Sequence, residues 1–193
     1  NPNLNPKIGY DIWKDFALIG PVAYTPITLV VHPAVPAKNV QELIALAHAR
    51  PKALNYGSAG TGSGSHMGAE LFSYLTKVDI THVPYKGVGP AVADTVAGQV
   101  QMTFTTVPSV VSFVRGGQLR SLGVASAQRA PQLPDVPTFI EAGVPEYLMD
   151  YWYCLVAPAA TAKEVQARLN GAVREVMRVP DVAVSLRRQL AGE

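Results

Sequence analysis

The chain has 193 residues, of which 48% are hydrophobic and 16% charged, a composition that excludes an intrinsically disordered protein. The formal net charge of +2, without any run of lysines and arginines, excludes electrostatic binding of nucleic acid. A single cysteine, Cys154, excludes an internal disulfide framework and a cysteine metal cluster, and no apolar run approaches the roughly 20 residues of a membrane-spanning helix.

We interpret Cys154, within "YWYCLVAP", as a buried small residue rather than a reactive thiol. The first 20 residues carry no signal-peptide pattern and are typical of the middle of a protein. The last residues, "LRRQLAGE", stop within or just after a helical pattern. We therefore expect a chain cropped at both ends, in which the missing signal peptide says nothing about compartment.

Short β-rich runs alternate with helical patterns through the first two thirds of the chain. Asn39 and Glu42 have capping-box spacing, and Pro90 and Gly98 stand where helices prefer to start and stop. The predicted strands are 27–31, 53–57, 79–85, 99–104 and 119–125. The predicted helices between them are 39–49, 65–77, 90–98 and 108–117.

The pattern changes from about residue 126. Residues 126–147 hold four prolines, which predicts a surface connection with one short helix. Residues 161–178 predict a long amphipathic helix, capped by Thr161 and Glu164 in capping-box spacing.

This alternation predicts βαβ units around a mostly parallel sheet, an α/β fold. In such sheets ligands bind beyond the carboxyl ends of the strands, in the loops that lead into helices. Three of these loops, 57–65, 85–90 and 104–109, carry unusual glycines, hydroxyls or a lysine. We therefore expect a ligand site where they meet.

The glycine loop "NYGSAGTGSGSHMG" matches none of the common nucleotide or nucleophile motifs. Gly57 and Gly62 have P-loop spacing, but Ser63 stands where the phosphate-binding lysine belongs. Gly60, Gly62 and Gly64 give G-x-G-x-G instead of the dinucleotide fingerprint, and no serine fits the G-x-S-x-G elbow. Nucleotide binding and acyl transfer are both disfavoured.

A helix beginning near Ser65 would present backbone amides without intrahelical partners, at the positive end of its dipole. Such amides bind an anionic oxygen without a charged side chain. Gly68, three residues on, is neither Glu nor Gln, so we expect no capping box to occupy these donors. The alternative, a solvated glycine-rich turn with a serine cap, stays open.

Other polar residues in the three loops have two interpretations each. His66 donates to a bound anion or packs beneath the loop. Tyr85 and Lys86 contact a ligand or form a solvated strand-end turn. Thr105 and Thr106 meet a ligand or cap the next helix.

The histidines elsewhere point to structure rather than chemistry. We interpret His82 as structural, and His32 and His48 have no metal-ligand spacing. The loops hold no close acid pair and no nucleophile with an evident base. Their donors and few acids suit capture of a small carboxylate.

Several segments in a fixed order carry a family resemblance. They are "YDIWKDFALIGPVAYTPITLVVHPAVPAKNVQELIALAHARPKALNYGSAGTGSGSHMGAELF", "ITHVPYKGVGPAVADTVAGQVQ", "GQLRSLGVASAQRAPQLPDVPTFIEAG" and "YWYCLVAPAATAKEVQARLN". Together they cover essentially the whole chain and resemble the solute-binding receptors of tripartite tricarboxylate transporters, the Bug/TctC type.

The resemblance implies a periplasmic receptor with a two-lobed, periplasmic-binding-protein-like fold, monomeric when complete. Such receptors close around a small tricarboxylate, dicarboxylate, acidic amino acid, nicotinate or aromatic acid and deliver it to membrane permease subunits. It implies no enzyme activity, no cofactor, no metal and no nucleic acid. The residues and the resemblance together make the ligand-binding candidates Ser58, Ala59, Gly60, Thr61, Gly62, Ser63, Ser65, His66, Tyr85, Lys86, Thr105 and Thr106.

Two departures from the family pattern matter. The family's first strand and Pro-Gly-Gly loop are absent, as is the expected final helix, so we expect residues 1–22 as a partial first lobe, 23–127 as the second, ligand-binding lobe and 128–193 as a partial return to the first. Thr105 stands where family members often have aspartate, which favours a carboxylate without an amine. Two alternatives stay open: a sensor acting on a histidine kinase, and an enzyme on a phosphorylated substrate.

Overall fold

The computed structural model describes residues 8–182 and residue 185, which form alternating strands and helices. In chain order these elements are β1 (Phe16–Val31), α1 (Val40–Ala49), β2 (Asn55–Ser58), α2 (Gly64–Thr76), β3 (Thr81–Pro84), α3 (Val88–Val96), β4 (Met102–Thr106), α4 (Val107–Arg115), β5 (Arg120–Val124), β6 (Asp150–Pro158) and α5 (Lys163–Val176). The α/β alternation predicted from the sequence is confirmed.

The strands form one sheet in the order β3-β2-β4-β1-β5, and β6 also pairs with β1. β2 is parallel to β3 and β4, whereas β1 is antiparallel to both β4 and β5. Four strands therefore share one direction, as predicted, and β1 opposes them. The sequence predicts only 27–31 of β1, whereas the strand begins at Phe16 and runs through Gly20 and Pro21.

Helices cover both faces of this sheet. α1 and α2 lie on one face, where Leu43 and Phe72 join the main core with Phe104 of β4. On the other face α3 and α4 meet the sheet in a smaller cluster that contains Val30, Val92, Val110 and Leu119. β2, β4, β5 and the second half of β1 are therefore mostly buried between two helical layers, whereas β3 and β6 are more exposed.

The helix caps follow the sequence at α1 but not at α5. The side chain of Asn39 accepts from the Glu42 amide at 2.8 Å, and the Glu42 carboxylate accepts from the Lys38 amide at 2.7 Å. α5 has Ala162 as its N-cap and no side-chain cap, so the predicted Thr161 cap is wrong. The Thr161 carbonyl instead accepts from the Gln166 side chain at 2.6 Å.

The proline-rich stretch after β5 is not a surface connection with a short helix, as the sequence predicts. The described residues 126–149 form hydrogen-bonded turns, one of them closed by Thr138 and Glu141. Phe139 and Tyr147 from this stretch are fully buried in the main core. Local prolines indicate turns, but they do not show that two aromatic side chains between them reach the interior.

The chain divides into two compact units. One is Thr25–Tyr151; the other contains the described residues before Thr25 and those from Trp152 onward. The stretch 128–151 therefore groups with the Thr25–Tyr151 unit, whereas the sequence places the return at residue 128. Its aromatic side chains in that unit's core explain the difference. Cys154, in β6, is half-buried and not fully buried as predicted.

Across the described part of the chain, no helix is long and apolar enough to cross a membrane. Within the same residues, no three side chains of His, Cys, Asp or Glu cluster in a way that would hold a metal ion.

Candidate functional site

The candidate site lies at the carboxyl edge, which is the edge of the sheet where β2, β3 and β4 end. Ser58 pairs with Pro84 across β2 and β3, and Gly57 pairs with Thr103 across β2 and β4. The Tyr85 amide donates to the Ser58 carbonyl at 3.0 Å, which continues the ladder past the strand end. The three loops predicted from the sequence therefore do meet at one edge.

The loop between β2 and α2, residues 59–63, needs glycine at two positions for its backbone. Gly60 has φ +114° and Gly62 has φ +78°, conformations that other residues rarely adopt. The Ser63 amide donates to the Gly60 carbonyl at 3.1 Å and closes the turn. Helix α2 then begins at Gly64, with Ser63 as its N-cap, two residues before the cap predicted at Ser65.

The loop's own side chains occupy several of the amides that the sequence suggested would be free. Three of the acceptors are serine hydroxyls, which are short enough to bond backbone amides two to six residues away, and the fourth is a histidine ring nitrogen. These contacts run from the Ala59 amide to Ser65 Oγ at 2.9 Å, from Gly60 to Ser58 Oγ at 3.1 Å, from Gly62 to His66 Nδ1 at 3.2 Å and from His66 to Ser63 Oγ at 3.3 Å. No Glu or Gln capping box is present, but side chains occupy these four amides, and Ser63 caps the helix as in the alternative of a serine-capped turn.

Three amides of the loop and first helical turn remain available. The amides of Thr61, Gly64 and Ser65 donate to no atom of the described residues. Gly64 and Ser65 are the first two residues of α2, where the helix itself supplies no acceptor and the dipole is positive. Ser65 as a whole residue is only 3% exposed. The available donors are thus fewer than predicted but sit at the helix start.

Three aromatic rings stack beneath this loop. The ring centroids of His66 and His82 are 4.2 Å apart, and those of His82 and Tyr56 are 4.9 Å apart. The Tyr56 hydroxyl donates to Glu70 Oε1 at 2.7 Å. Burial first, and then this carboxylate, raise the pKa of Tyr56 well above its usual range. The stack anchors the start of α2 to β2 and β3.

The hydrogen bonds of His66 define its tautomer. Its Nδ1 accepts from the Gly62 amide, so the ring proton lies on Nε2. Nε2 is 3.8 Å from Glu70 Oε1. His66 therefore packs beneath the loop and holds Gly62 in place, and donation from its Nε2 to a bound anion stays a prediction.

His82 contacts a serine that sequence reasoning left without a base. Its Nε2 lies 2.6 Å from Ser58 Oγ, although the two residues are 24 positions apart. Burial, and then the neighbouring His66, lower the pKa of His82, while Glu70 opposes this shift. Ser58 is fully buried and also accepts from the Gly60 amide, so the pair shapes the loop.

Tyr85 and Lys86, at the end of β3, differ in their availability. The Tyr85 hydroxyl donates to Asp94 Oδ2 of α3 at 2.7 Å. Burial and this bond raise the pKa of Tyr85 to about 12. Lys86 is exposed and forms no ion pair with any carboxylate of the described residues. The cation is therefore available to a ligand, whereas the phenol is committed to α3.

The two threonines at the end of β4 also differ. Thr105 is 1% exposed, and its Oγ1 is buried without a hydrogen-bond partner among the described residues. Thr106 is the N-cap of α4, but its hydroxyl pairs with Ser109 Oγ at 2.7 Å and not with a helix amide. A buried hydroxyl without a partner lowers the free energy of unfolding by about 1–3 kcal/mol, so Thr105 destabilises the fold at this edge.

Two tyrosines that the sequence did not single out pack on α2 through its glycines. A Cβ placed on Gly64 would overlap the Tyr151 hydroxyl, and one placed on Gly68 would lie 3.2 Å from the Tyr147 hydroxyl. Tyr147 donates to the Gly68 carbonyl at 3.0 Å. Glycines four residues apart on one helix face signal a close approach, but not the partner.

Comparison with known proteins adds the family. A sequence model of the tripartite tricarboxylate transporter family receptors, TctC, matches residues 1–190. The chain belongs to this family. It is 34% identical over 175 residues to the BugT protein of Bordetella pertussis, covering 91% of this chain and 54% of BugT. The resemblance inferred from the sequence is thereby confirmed.

Solved structures of other proteins show the same fold. Rpa4515 of R. palustris, with adipate, matches with a TM-score of 0.88 and 36% identity over 96% of this chain. MatC of Rhodopseudomonas palustris, with bound malate, matches with a TM-score of 0.86 and 34% identity over 98% of this chain. The chain spans 62% and 63% of those two chains, and about half the length of BugT. The expected periplasmic-binding-protein-like fold is confirmed.

Proposed function

We propose that this chain is the ligand-binding part of a periplasmic, non-enzymatic solute receptor that captures a small carboxylate at the carboxyl edge. The carrying observation is the start of α2, where the amides of Thr61, Gly64 and Ser65 have no partner among the described residues. Amides at a helix start bind carboxylate oxygens with little need for a charged side chain.

The chemistry around these amides supports an anion. Lys86 supplies a free cation, and the three loops 57–65, 85–90 and 104–109 contain no Asp or Glu. α3 and α4, which follow the neighbouring loops, both begin without a side-chain cap on their amides. Three helix starts beside one another create a positive potential without buried charge.

The unpartnered hydroxyl of Thr105 supports a ligand without an amine. A threonine offers a donor and an acceptor but no charge, so it gives an ammonium group no counter-charge. Adipate and malate, held by the two related structures, are both carboxylates without an amine. We therefore infer a dicarboxylate or another amine-free acid as the ligand class.

The family membership supports delivery of this ligand to the permease subunits of a tripartite transporter. A sensor that presents its loaded form to a histidine kinase would use the same site. Co-purification of the loaded receptor with each membrane partner distinguishes these roles, and we expect retention by the permease subunits. Retention by the kinase ectodomain alone would contradict the transport role.

A thermal-shift screen of this chain tests the capture of carboxylates. We expect stabilisation by adipate and malate, because a ligand that binds only the native state at 100 times its Kd contributes about 2.7 kcal/mol. Adipamide, which matches adipate in shape but lacks charge, serves as the neutral control, and glutamate tests for an ammonium. Equal shifts with adipate and adipamide would contradict anion capture.

A further inference from the structure

A second cavity opens at the amino edge of the sheet, opposite the carboxyl edge. It has a volume of about 270 Å³ and lies between the turn after β1, the end of α1, the approach to β2 and the approach to β4. β2 and β4 begin at this edge and antiparallel β1 ends here, so the sheet separates the cavity from the glycine loop. Nothing in the proposed function uses it.

The residues that line this cavity divide into an apolar wall and a set of donors. Val35, Leu46 and Leu54 form the wall, and the first and last of these are nearly fully buried. His32, Arg50 and Gln101 supply the polar groups. No Asp or Glu lines the cavity. Apolar walls with a few convergent polar groups are typical of small-molecule sites.

The hydrogen bonds of His32 leave it as a donor. The Ala34 amide donates to His32 Nδ1 at 3.2 Å, which places the proton of the neutral ring on Nε2. The ring lies beside Gly98, where an added Cβ would be 3.5 Å from it. Gly98 has φ +75°, so the turn that brings the chain this close favours glycine. The ring is therefore held in a defined place.

Gln101 and Arg50 also present donors. The Gln101 side-chain oxygen accepts from the Asn55 amide at 2.9 Å, which leaves its NH₂ group as the unengaged end. The Arg50 side chain forms no hydrogen bond or ion pair with the described residues, whereas its backbone amide closes α1 onto Leu46. The cavity thus combines one unpaired permanent cation with two neutral donors.

From this arrangement we propose that the amino-edge cavity is a second binding site, for a small organic monoanion with an apolar body. The guanidinium and the two donors hold the carboxylate, and the apolar wall holds the body. The volume lies just below the roughly 300–1,000 Å³ of drug-sized sites, which fits an acid the size of benzoate. This site does not depend on the glycine loop.

Titration of the ¹⁵N-labelled chain with benzoate, followed by NMR, tests the proposal. We expect saturable shifts of the amides of His32, Gly98 and Gln101. Shifts at Gly62 and Ser65 report binding at the carboxyl edge separately, so failure of one site is distinguished from failure of the other. Shifts confined to Gly62 and Ser65, or none at all, would overturn the proposal.

Two comparisons make the test specific. Arg50→Gln is expected to weaken benzoate binding at the amino edge at least tenfold, while Lys52→Gln removes the same charge two residues away, outside the cavity, and leaves affinity within about twofold. Benzamide, the neutral analogue, is expected to bind the unchanged chain at least tenfold more weakly than benzoate. Equal affinities in either comparison would refute an anion site, and the benzamide result stands even if a variant fails to fold.

Discussion

The ring of Tyr151 occupies the space in which a side chain on Gly64 would begin. A Cβ on Gly64 would overlap the Tyr151 hydroxyl oxygen and two carbons of its ring. Gly64 is also the first residue of α2, so the same contact fixes the start of the helix that bears the free amides. The glycine is present for packing at the site, in addition to the turn that Gly60 and Gly62 make.

Gly64→Ala is therefore expected to lower the free energy of unfolding by about 1–3 kcal/mol, because the tyrosine ring must move to admit a methyl group. Gly89→Ala is the matched control: it lies in α3, with nothing within 4 Å of its Cβ position, and should be neutral or stabilising by about 0.5–1 kcal/mol. Urea unfolding monitored by circular dichroism measures both. Equal effects would show that Tyr151 does not constrain this position.

Thr105→Val and Thr103→Val are expected to change stability in opposite directions. Thr105 has a buried hydroxyl without a partner, so replacing it with an isosteric methyl should raise the free energy of unfolding by about 1 kcal/mol. Thr103 Oγ1 donates to the buried Gly57 carbonyl at 2.8 Å, and its loss should cost about 1–2 kcal/mol. Urea unfolding gives both values.

The same pair separates stability from ligand binding. If the Thr105 hydroxyl serves the ligand, Thr105→Val weakens adipate binding in calorimetry even though the fold is more stable. Unchanged affinity in Thr105→Val would remove this residue from the site.

Stability is expected to fall as the pH drops below about 6.5. Burial and His66 lower the pKa of folded His82 from the usual 6.5, so the unfolded chain binds the proton more strongly. The contribution of neutral His82 is thus fully present above pH 6.5 and decreases as the pH falls toward the lowered folded value. Glu70 raises the pKa of His82, but this effect is smaller than the two that lower it. Tyr56, which stacks on His82, has a raised pKa and stays neutral over this pH range.

Urea unfolding at pH 7.5, 6.5 and 5.5 measures this dependence. His82→Gln keeps a hydrogen-bonding group near Ser58 but removes the titration, so its pH dependence should be flatter. His48→Gln, at an exposed position outside the stack, controls for the loss of a histidine as such. A slope unchanged in His82→Gln would assign the effect to other groups.

Gly62→Val is expected to weaken carboxylate binding strongly while the fold is mostly retained. Gly62 has φ +78°, a conformation that costs a non-glycine residue about 1–2 kcal/mol and disfavours a β-branched side chain still more. The strain shifts the Gly62 amide off His66 and displaces the adjacent free amides of α2.

Gly171→Val places the same side chain in α5, where nothing lies within 4 Å of its Cβ position. We expect this control to keep the affinity for adipate measured by calorimetry. Unchanged affinity in Gly62→Val would count against a role of the loop in binding.

Local patterns in the sequence determined the alternation of strands and helices, the Asn39 cap and the three loops at the carboxyl edge. Periodicity, capping spacing and glycine content act over a few residues, so they are visible without the fold. The same patterns, in order along the chain, identified the family. Helix α5 shows the limit of such signals, because Thr161 has capping spacing yet Ala162 is the cap.

Only the tertiary structure decided which amides of the glycine loop remain free and what packs on α2. Ser58 meets His82 from 24 residues away, and Gly68 meets Tyr147 from 79 residues away. A glycine in the sequence indicates that another part of the chain packs closely against the backbone there. Which residue that is depends on how the sheet and core bring distant segments together. That is why the sequence predicted which loops lie at this edge but not which of their amides are free.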